Sequence, residues 1–281
     1  MTTPISGLTA ATSMSRTDAM PAVVSSNTRK VNPERIAAAL GQWIDPMDAA
    51  YGAVGNDSTD DTSALQTAFD AGAATGIPVW LPPKKFKTTG TLFVDTENTT
   101  IIGGALPARG RGATDSPSRT MKCATIRYTG SGYGMVVGKD RSTSAGTGTS
   151  TTFLYNVRIA DLRIEAPNAG SGYGCMVIRN PFQCRFDNLQ LVGPAGSGRA
   201  CLWSYGHVDC DFDGIECDGA GYPTGVASAG TYGFDNCAEF GAVFRYGYSG
   251  GTPTTSRVKG SYFHYCQTGV TTHGLVRFSD D

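Results

Sequence analysis

Between residues 157 and 263 the alternation of apolar and polar positions comes back as one eight-residue unit, read five times. The copies are VRIADLRI from Val157, CRFDNLQL from Cys184, CDFDGIEC from Cys210, YGFDNCAE from Tyr232 and SRVKGSYF from Ser256. They start 27, 26, 22 and 24 residues apart, a spacing that predicts a solenoid. With the period of two that a strand imposes, positions one, three, six and eight face one way and two, four and seven the other. The first set is mostly Val, Ile, Cys, Phe and Leu. Position five is Asp161, Asn188, Gly214, Asn236 and Gly260, the residue types that accept a left-handed backbone, so each copy reads as strand, sharp corner, strand. GSG followed by a short apolar run at Gly130, Gly170 and Gly196 adds a second register. A unit of this length cannot bury its own inner face and has to stack on its neighbours.

Upstream, the pattern changes period. Asn32, Pro33 and Glu34 start a helix, and Ile36, Ala39, Leu40 and Trp43 form one apolar stripe, which predicts a helix over 33–44. A second helix follows a turn at Gly52, Gly55 and Asn56. Thr59, Asp60 and Asp61 offer its cap, and Leu65, Ala68, Phe69 and Gly72 lie on one side. Strands are expected at 79–81, 85–88, 91–94, 100–102, 124–128 and 135–137. An amphipathic helix just ahead of the first strands has an obvious use as a lid on the open first turn. The polar stretches 105–119, with Arg109, Arg111 and Arg119, and 139–152 are expected to project as a rim.

Composition sharpens this picture. Charged residues make up only 17% of the 281-residue chain while glycine reaches 37, which favours short strands and turns over helices. A net charge of −1 with no Lys/Arg cluster argues against nucleic acid as partner. There is no apolar run long enough for a membrane span and no secretory signal. Of the eight cysteines, Cys175 and Cys201, like Cys184 and Cys210, are 26 residues apart and are read as stacked inward thiols.

Two stretches resemble known families. Gly52, Ala53, Gly55, Asp60, Asp61, Thr62, Gln66, Ala68, Leu81, Pro82, Pro83, Gly90 and Leu92 match the N-terminal signature of pectate-lyase-like right-handed parallel β-helix proteins, although Lys84, Lys85 and Phe86 replace the expected Gly-x-Tyr. Thr17, Asp18, Pro21, Val23, Val24, Lys30 and Val31 look like the leader of bacteriophage tail fibres and tailspikes. The resemblance implies an all-β chain with a small virion-anchoring arm over 1–45, capping helices and a β-helix over 46–281. It also implies a homotrimer that assembles in the host cytoplasm, joins the virion through the arm and meets bacterial surface polysaccharide. VRFSDD stops in what reads as the next turn, so a longer polypeptide, or other chains covering that end, is expected.

Candidate chemistry sits at the outward position four, Ala160, Asp187, Asp213, Asp235 and Lys259, with Asp211 on the same strand as Asp213 and Glu216 beyond the corner. Stacked about 4.8 Å apart, carboxylates raise one another's pKa. That meets one requirement of a general acid facing a general base in glycoside hydrolysis. An equally simple reading is a solvated column neutralised by Arg185 and Lys259. Trp203, Tyr205 and Tyr262, with Tyr222 and Tyr246, are candidates for stacking on sugar rings. His207, His264 and His273 show no metal-ligand spacing, and no cofactor motif is present. Three functions follow: a spike that attaches to polysaccharide, a depolymerase acting as hydrolase or lyase, and a structural tail adaptor.

Overall fold

A computed structural model describes residues 43–105, 123–146, 148–193, 196–218, 238–245, 256–264 and 276–279. It opens with β1 (Asn56–Asp60) and the helix α1 (Thr62–Thr75). Six turns of chain follow, each laying down the same three strands in order, with a short extra strand opening the third and fourth. The first turn is β2 (Val79–Leu81), β3 (Lys85–Thr88) and β4 (Leu92–Val94), and the second is β5 (Thr100–Gly103), β6 (Thr125–Tyr128) and β7 (Met135–Val137). The third begins with a short β8 (Leu154–Tyr155), then β9 (Arg158–Ala160), β10 (Arg163–Glu165) and β11 (Met176–Arg179). The fourth repeats that plan with β12 (Pro181–Phe182), β13 (Arg185–Asp187), β14 (Gln190–Val192) and β15 (Gly196–Tyr205). The fifth is β16 (Asp211–Asp213), β17 (Glu216–Asp218) and β18 (Ala238–Arg245), and the sixth β19 (Arg257–Lys259), β20 (Tyr262–His264) and β21 (Val276–Ser279).

Like strands stack into three parallel sheets: β2-β5-β9-β13-β16-β19, then β1-β3-β6-β10-β14-β17-β20, then β4-β7-β11-β15-β18-β21. β8 and β12 pair at the corner where the third sheet gives way to the first. This is a right-handed parallel β-helix, and its core is the lumen. Ile101, Ile159, Phe186 and Phe212 form one fully buried column, with the rings of Phe186 and Phe212 stacked at 5.2 Å. The other two sheets contribute Phe86, Ile126, Ile164, Leu191 and Cys217, and Leu92, Met135, Met176, Leu202 and Ala242. Positions one, three, six and eight of the first three copies are all buried, as the alternation requires. Cys184 and Cys210, and Cys175 and Cys201, are buried cysteines outside any disulfide on neighbouring turns.

The corners follow from position five. Asp161, Asn188, Gly214 and Gly260 have φ of 57°, 51°, 66° and 57°, the left-handed region reserved for such residues. Asn188 also donates through Nδ2 to Asp161 Oδ1 at 3.1 Å, tying one corner to the next.

α1 seals the first turn, burying Leu65, Ala68, Phe69 and Gly72. A side chain at Gly72 would meet Val79 Cγ2 at 2.5 Å, so only glycine brings the helix this close to β2. Gln66 completes the seal by acting as a peptide: its Oε1 accepts from Phe93 N at 2.8 Å and its Nε2 donates to Phe93 O at 3.0 Å. Open groups on the edge strand β4 are thereby paired. Thr62 Oγ1 accepts from Thr89 N and Gly90 N in the same way. Asp61 stands at the helix N-cap, yet its carboxylate turns back to Val54 N and Gly55 N instead of capping the helix.

Three expectations need correction or lie elsewhere. Ile44 is extended, not helical: it pairs with Val79, its N donating to Pro78 O and its O accepting from Trp80 N, both at 2.8 Å. The rest of the helix expected over 33–44, and the arm, lie outside the described residues except for Trp43 to Asp45, as do Arg109, Arg111 and Arg119. The fourth copy is not a turn of its own, because β16 pairs directly with β19, setting Asp211 against Arg257 and Asp213 against Lys259. The end of that copy, Ala238 and Glu239, belongs to β18 in the third sheet.

Candidate functional site

The outer face of the first sheet carries two charged columns. Register places Arg158, Arg185, Asp211 and Arg257 in one, and Ala160, Asp187, Asp213 and Lys259 in the other. Charges of opposite sign meet across the turns. Arg158 Nε is 3.2 Å from Asp187 Oδ2, Lys259 Nζ is 3.1 Å from Asp213 Oδ2, and Arg257 donates through Nε and Nη2 to the two oxygens of Asp211 at 2.8 and 3.1 Å. Arg185 reaches Asp187 only at 4.0 Å. Three of the five proposed carboxylates are therefore brought together on one face, each beside a cation.

The expected mutual raising of pKa is reversed at Asp211. The hydrogen bonds and charge of Arg257, aided by Arg185 and Lys259, outweigh burial and hold this carboxyl below the usual range. Glu216 lies on a different face: Gly214 turns the chain, and Glu216 is a buried residue of the second sheet in register with Gln190. Asp235 is outside the described residues; the outward neighbour of Asp213 on the next strand is Lys259. Tyr222, Tyr246 and His273 are also outside the described residues. Tyr262 starts β20 opposite Glu216.

Trp203 and Tyr205 point outward from the third sheet and are nevertheless covered, with exposures of 7% and 3%. Their rings stack at 6.3 Å, and Trp203 lies in a buried outer column with Val136, Val177 and Val243. Described residues of the 139–152 segment, expected to project as a rim, are tied back to this sheet. Arg179, 2% exposed, donates to the carbonyls of Ser142 and Ser144 at 2.7 Å and Gly146 at 3.3 Å, with its guanidinium 5.9 Å from the Tyr133 ring centre. Arg141 adds a tie to Asp70 of α1 and to Asp95. These two aromatics are packing residues of a closed face.

A different aromatic group remains partly open. At the corner between the third and first sheets, Phe153, Tyr155 and Phe182 meet edge to face or tilted, with centroids 5.1 to 6.4 Å apart, and Tyr155 is 37% exposed. The eight-residue pattern misses them because it begins two residues after Tyr155. The available signal is their spacing: Tyr155 and Phe182 are 27 residues apart, the interval between the first two copies.

His207 is buried against Phe212 and Phe244, with ring centres at 5.9 and 5.3 Å, and burial brings its pKa down to about 4. Among the described residues no cluster of His, Cys, Asp and Glu has metal-binding geometry, and no helix is long and apolar enough to cross a membrane.

Comparison of the chain with family models and with curated proteins finds no match. Solved structures do match. ORF18 of Geobacillus virus E2 aligns over 82% of this chain and 44% of its own, with a TM-score of 0.52 and 17% identity. PfbA, a surface adhesin of Streptococcus pneumoniae, aligns over 83% and 51% with a TM-score of 0.43 and 16% identity. The Dettilon tailspike protein gp208 aligns over 85% and 42%, with 0.38 and 10%. The chain thus spans about half the length of these proteins, or less. The likeness to ORF18 is one of fold and places this chain among the parallel β-helix proteins.

Proposed function

We propose that this chain is part of a phage tailspike or tail fibre that attaches to polysaccharide on the host surface. The observation that carries this reading is the sealed entrance of the β-helix behind a leader-like sequence. The chain joins the shaft at Ile44, at the end closed by α1 and Gln66, and the residues before it are those that resemble tail-fibre leaders. An anchor at one end and a stiff shaft with open faces beyond it is the layout of a spike. The fold shared with a Geobacillus virus protein supports the same reading. Three copies of the arm burying one another, and hence a homotrimer, belong to it.

Attachment is favoured over cleavage by the alternation of charge on the first sheet. A general acid keeps a proton at neutral pH, whereas Arg257 draws the Asp211 carboxyl the other way. The test is adhesion of the labelled full chain to host cells before and after periodate oxidation of their surface sugars, with release of reducing ends followed in parallel. Binding lost on oxidation without release of sugar supports attachment. Released sugar that disappears in Asp187→Asn, Asp211→Asn or Asp213→Asn establishes the depolymerase. Binding indifferent to periodate, with particle assembly blocked by removing residues 1–42, establishes the adaptor.

A further inference from the structure

The corner between the third and first sheets brings together three kinds of group. Phe153, Tyr155 and Phe182 supply flat apolar rings. Asn156 and Gln183, exposed at left-handed corners with φ of 55° and 54°, stand directly after Tyr155 and Phe182 and offer amides, Asn156 through its Oδ1 while its Nδ2 donates to Asn98 Oδ1 at 3.3 Å. Two residues further on, Arg158 and Arg185 point outward from the first strands of the first sheet. Arg185 is 60% exposed and its ion pair with Asp187 is stretched to 4.0 Å, so its planar donor fork is largely available.

We infer that this corner is a binding site for an acidic polysaccharide, which deepens and rests on the attachment reading above. A pyranose lays its C–H face on the rings, the amides meet its hydroxyls, and the guanidinium of Arg185 takes a carboxylate of the sugar through paired hydrogen bonds. Among the described residues, this corner carries the combination on the third and fourth turns. On the second turn the same places hold Asn98 and Thr100, and on the fifth Val208, Asp209 and Asp211. Asp209 and Asp211 repel an anion and set one edge of the site. The site therefore spans two turns, about 5 Å apart, along the shaft axis. A second copy of this chain is a poorer occupant, because polar amides and cations interrupt the rings and leave no continuous apolar patch.

The test uses the labelled full chain on immobilised bacterial polysaccharides, uronate-bearing capsular polymers beside neutral O-chains, with polygalacturonate as soluble competitor. The expected result is binding to acidic polymers, displaced by polygalacturonate. Tyr155→Ala should weaken it about five-fold and Arg185→Ala about ten-fold, while Tyr155→Phe binds as the parent does. Lys87→Ala, which removes a charge from the second sheet, should stay within about two-fold, since only a non-specific charge effect would move it. Circular dichroism confirms that the variants fold. Binding to neutral polymers only, undiminished binding in both Ala variants, or an equal loss in Lys87→Ala overturns the site and leaves attachment standing. A change of oligomeric state in Tyr155→Ala with sugar binding intact makes the corner a contact between copies instead. Failure of the parent chain to bind any polymer overturns the attachment reading itself.

Discussion

The first and third sheets are built from the same turns, in the same parallel register, and their outer faces have opposite fates. From the fourth turn on, outward positions on the first sheet are Arg, Asp and Lys, held in pairs, and the cations among them are more than half exposed. Those on the third are Val136, Val177, Trp203 and Val243, buried, with the 139–152 segment drawn back over this side by Arg179. A side chain that points away from the lumen is therefore not thereby exposed. The lumen is closed by stacking alone, whereas an outer face is closed only if some loop has groups to fasten it. Arg179 supplies the fastening, because its fork satisfies three loop carbonyls that would otherwise need water.

The contrast breaks most sharply at Trp203. Trp203→Ala empties a large buried site on the covered face and should cost about 4 kcal/mol in a urea titration. Arg179→Ala leaves the loop carbonyls unpaired, with an expected loss of about 3 kcal/mol and new proteolytic cleavage within 139–152. If that segment stays protected, the guanidinium does not fasten the cover.

Acid tests the lumen between the two faces. Burial holds the His207 pKa down to about 4 against an ordinary 6.5, so the unfolded chain binds this proton first. Stability should be complete above about pH 6.5 and fall by roughly 2 to 3 kcal/mol on the way down to pH 4. His207→Leu should flatten the slope in that window. At lower pH the cap takes over: burial pushes the Asp60 carboxyl up, but hydrogen bonds from Thr62 and Thr89 outweigh it and bring it to about 2. Its contribution is present above about pH 4 and is lost as pH falls toward 2.

Smaller effects sharpen the comparison. Gln66→Ala removes both bonds to Phe93 and should cost about 1 to 2 kcal/mol, with faster hydrogen exchange confined to the first turn. Asp213→Asn on the open face should cost less than about 1 kcal/mol, since its partner Lys259 is well solvated. A loss there as large as at Trp203 would mean that the first sheet too is covered.

Much of the shaft was legible in the residues. The inward column through Ile159, Phe186 and Phe212, the left-handed corners at Asp161, Asn188, Gly214 and Gly260, and the apolar side of α1 are local properties. What misled was similarity without context: the copy from Tyr232 has the right alternation but ends in β18. The carboxylate row shrank because Lys259, not Asp235, is the next outward neighbour of Asp213. The aromatic corner went unread because Phe153, Tyr155 and Phe182 fall outside the eight-residue unit.

The amino-acid order by itself determined the direction of each side chain and the place of each corner, because a strand's period and a residue's tolerance of positive φ act over a few neighbours. Only the tertiary structure decided which turns adjoin, which outward faces are covered and which charges meet. Those depend on where distant segments such as 139–152 come to rest, and no window of sequence short enough to show a period contains both partners.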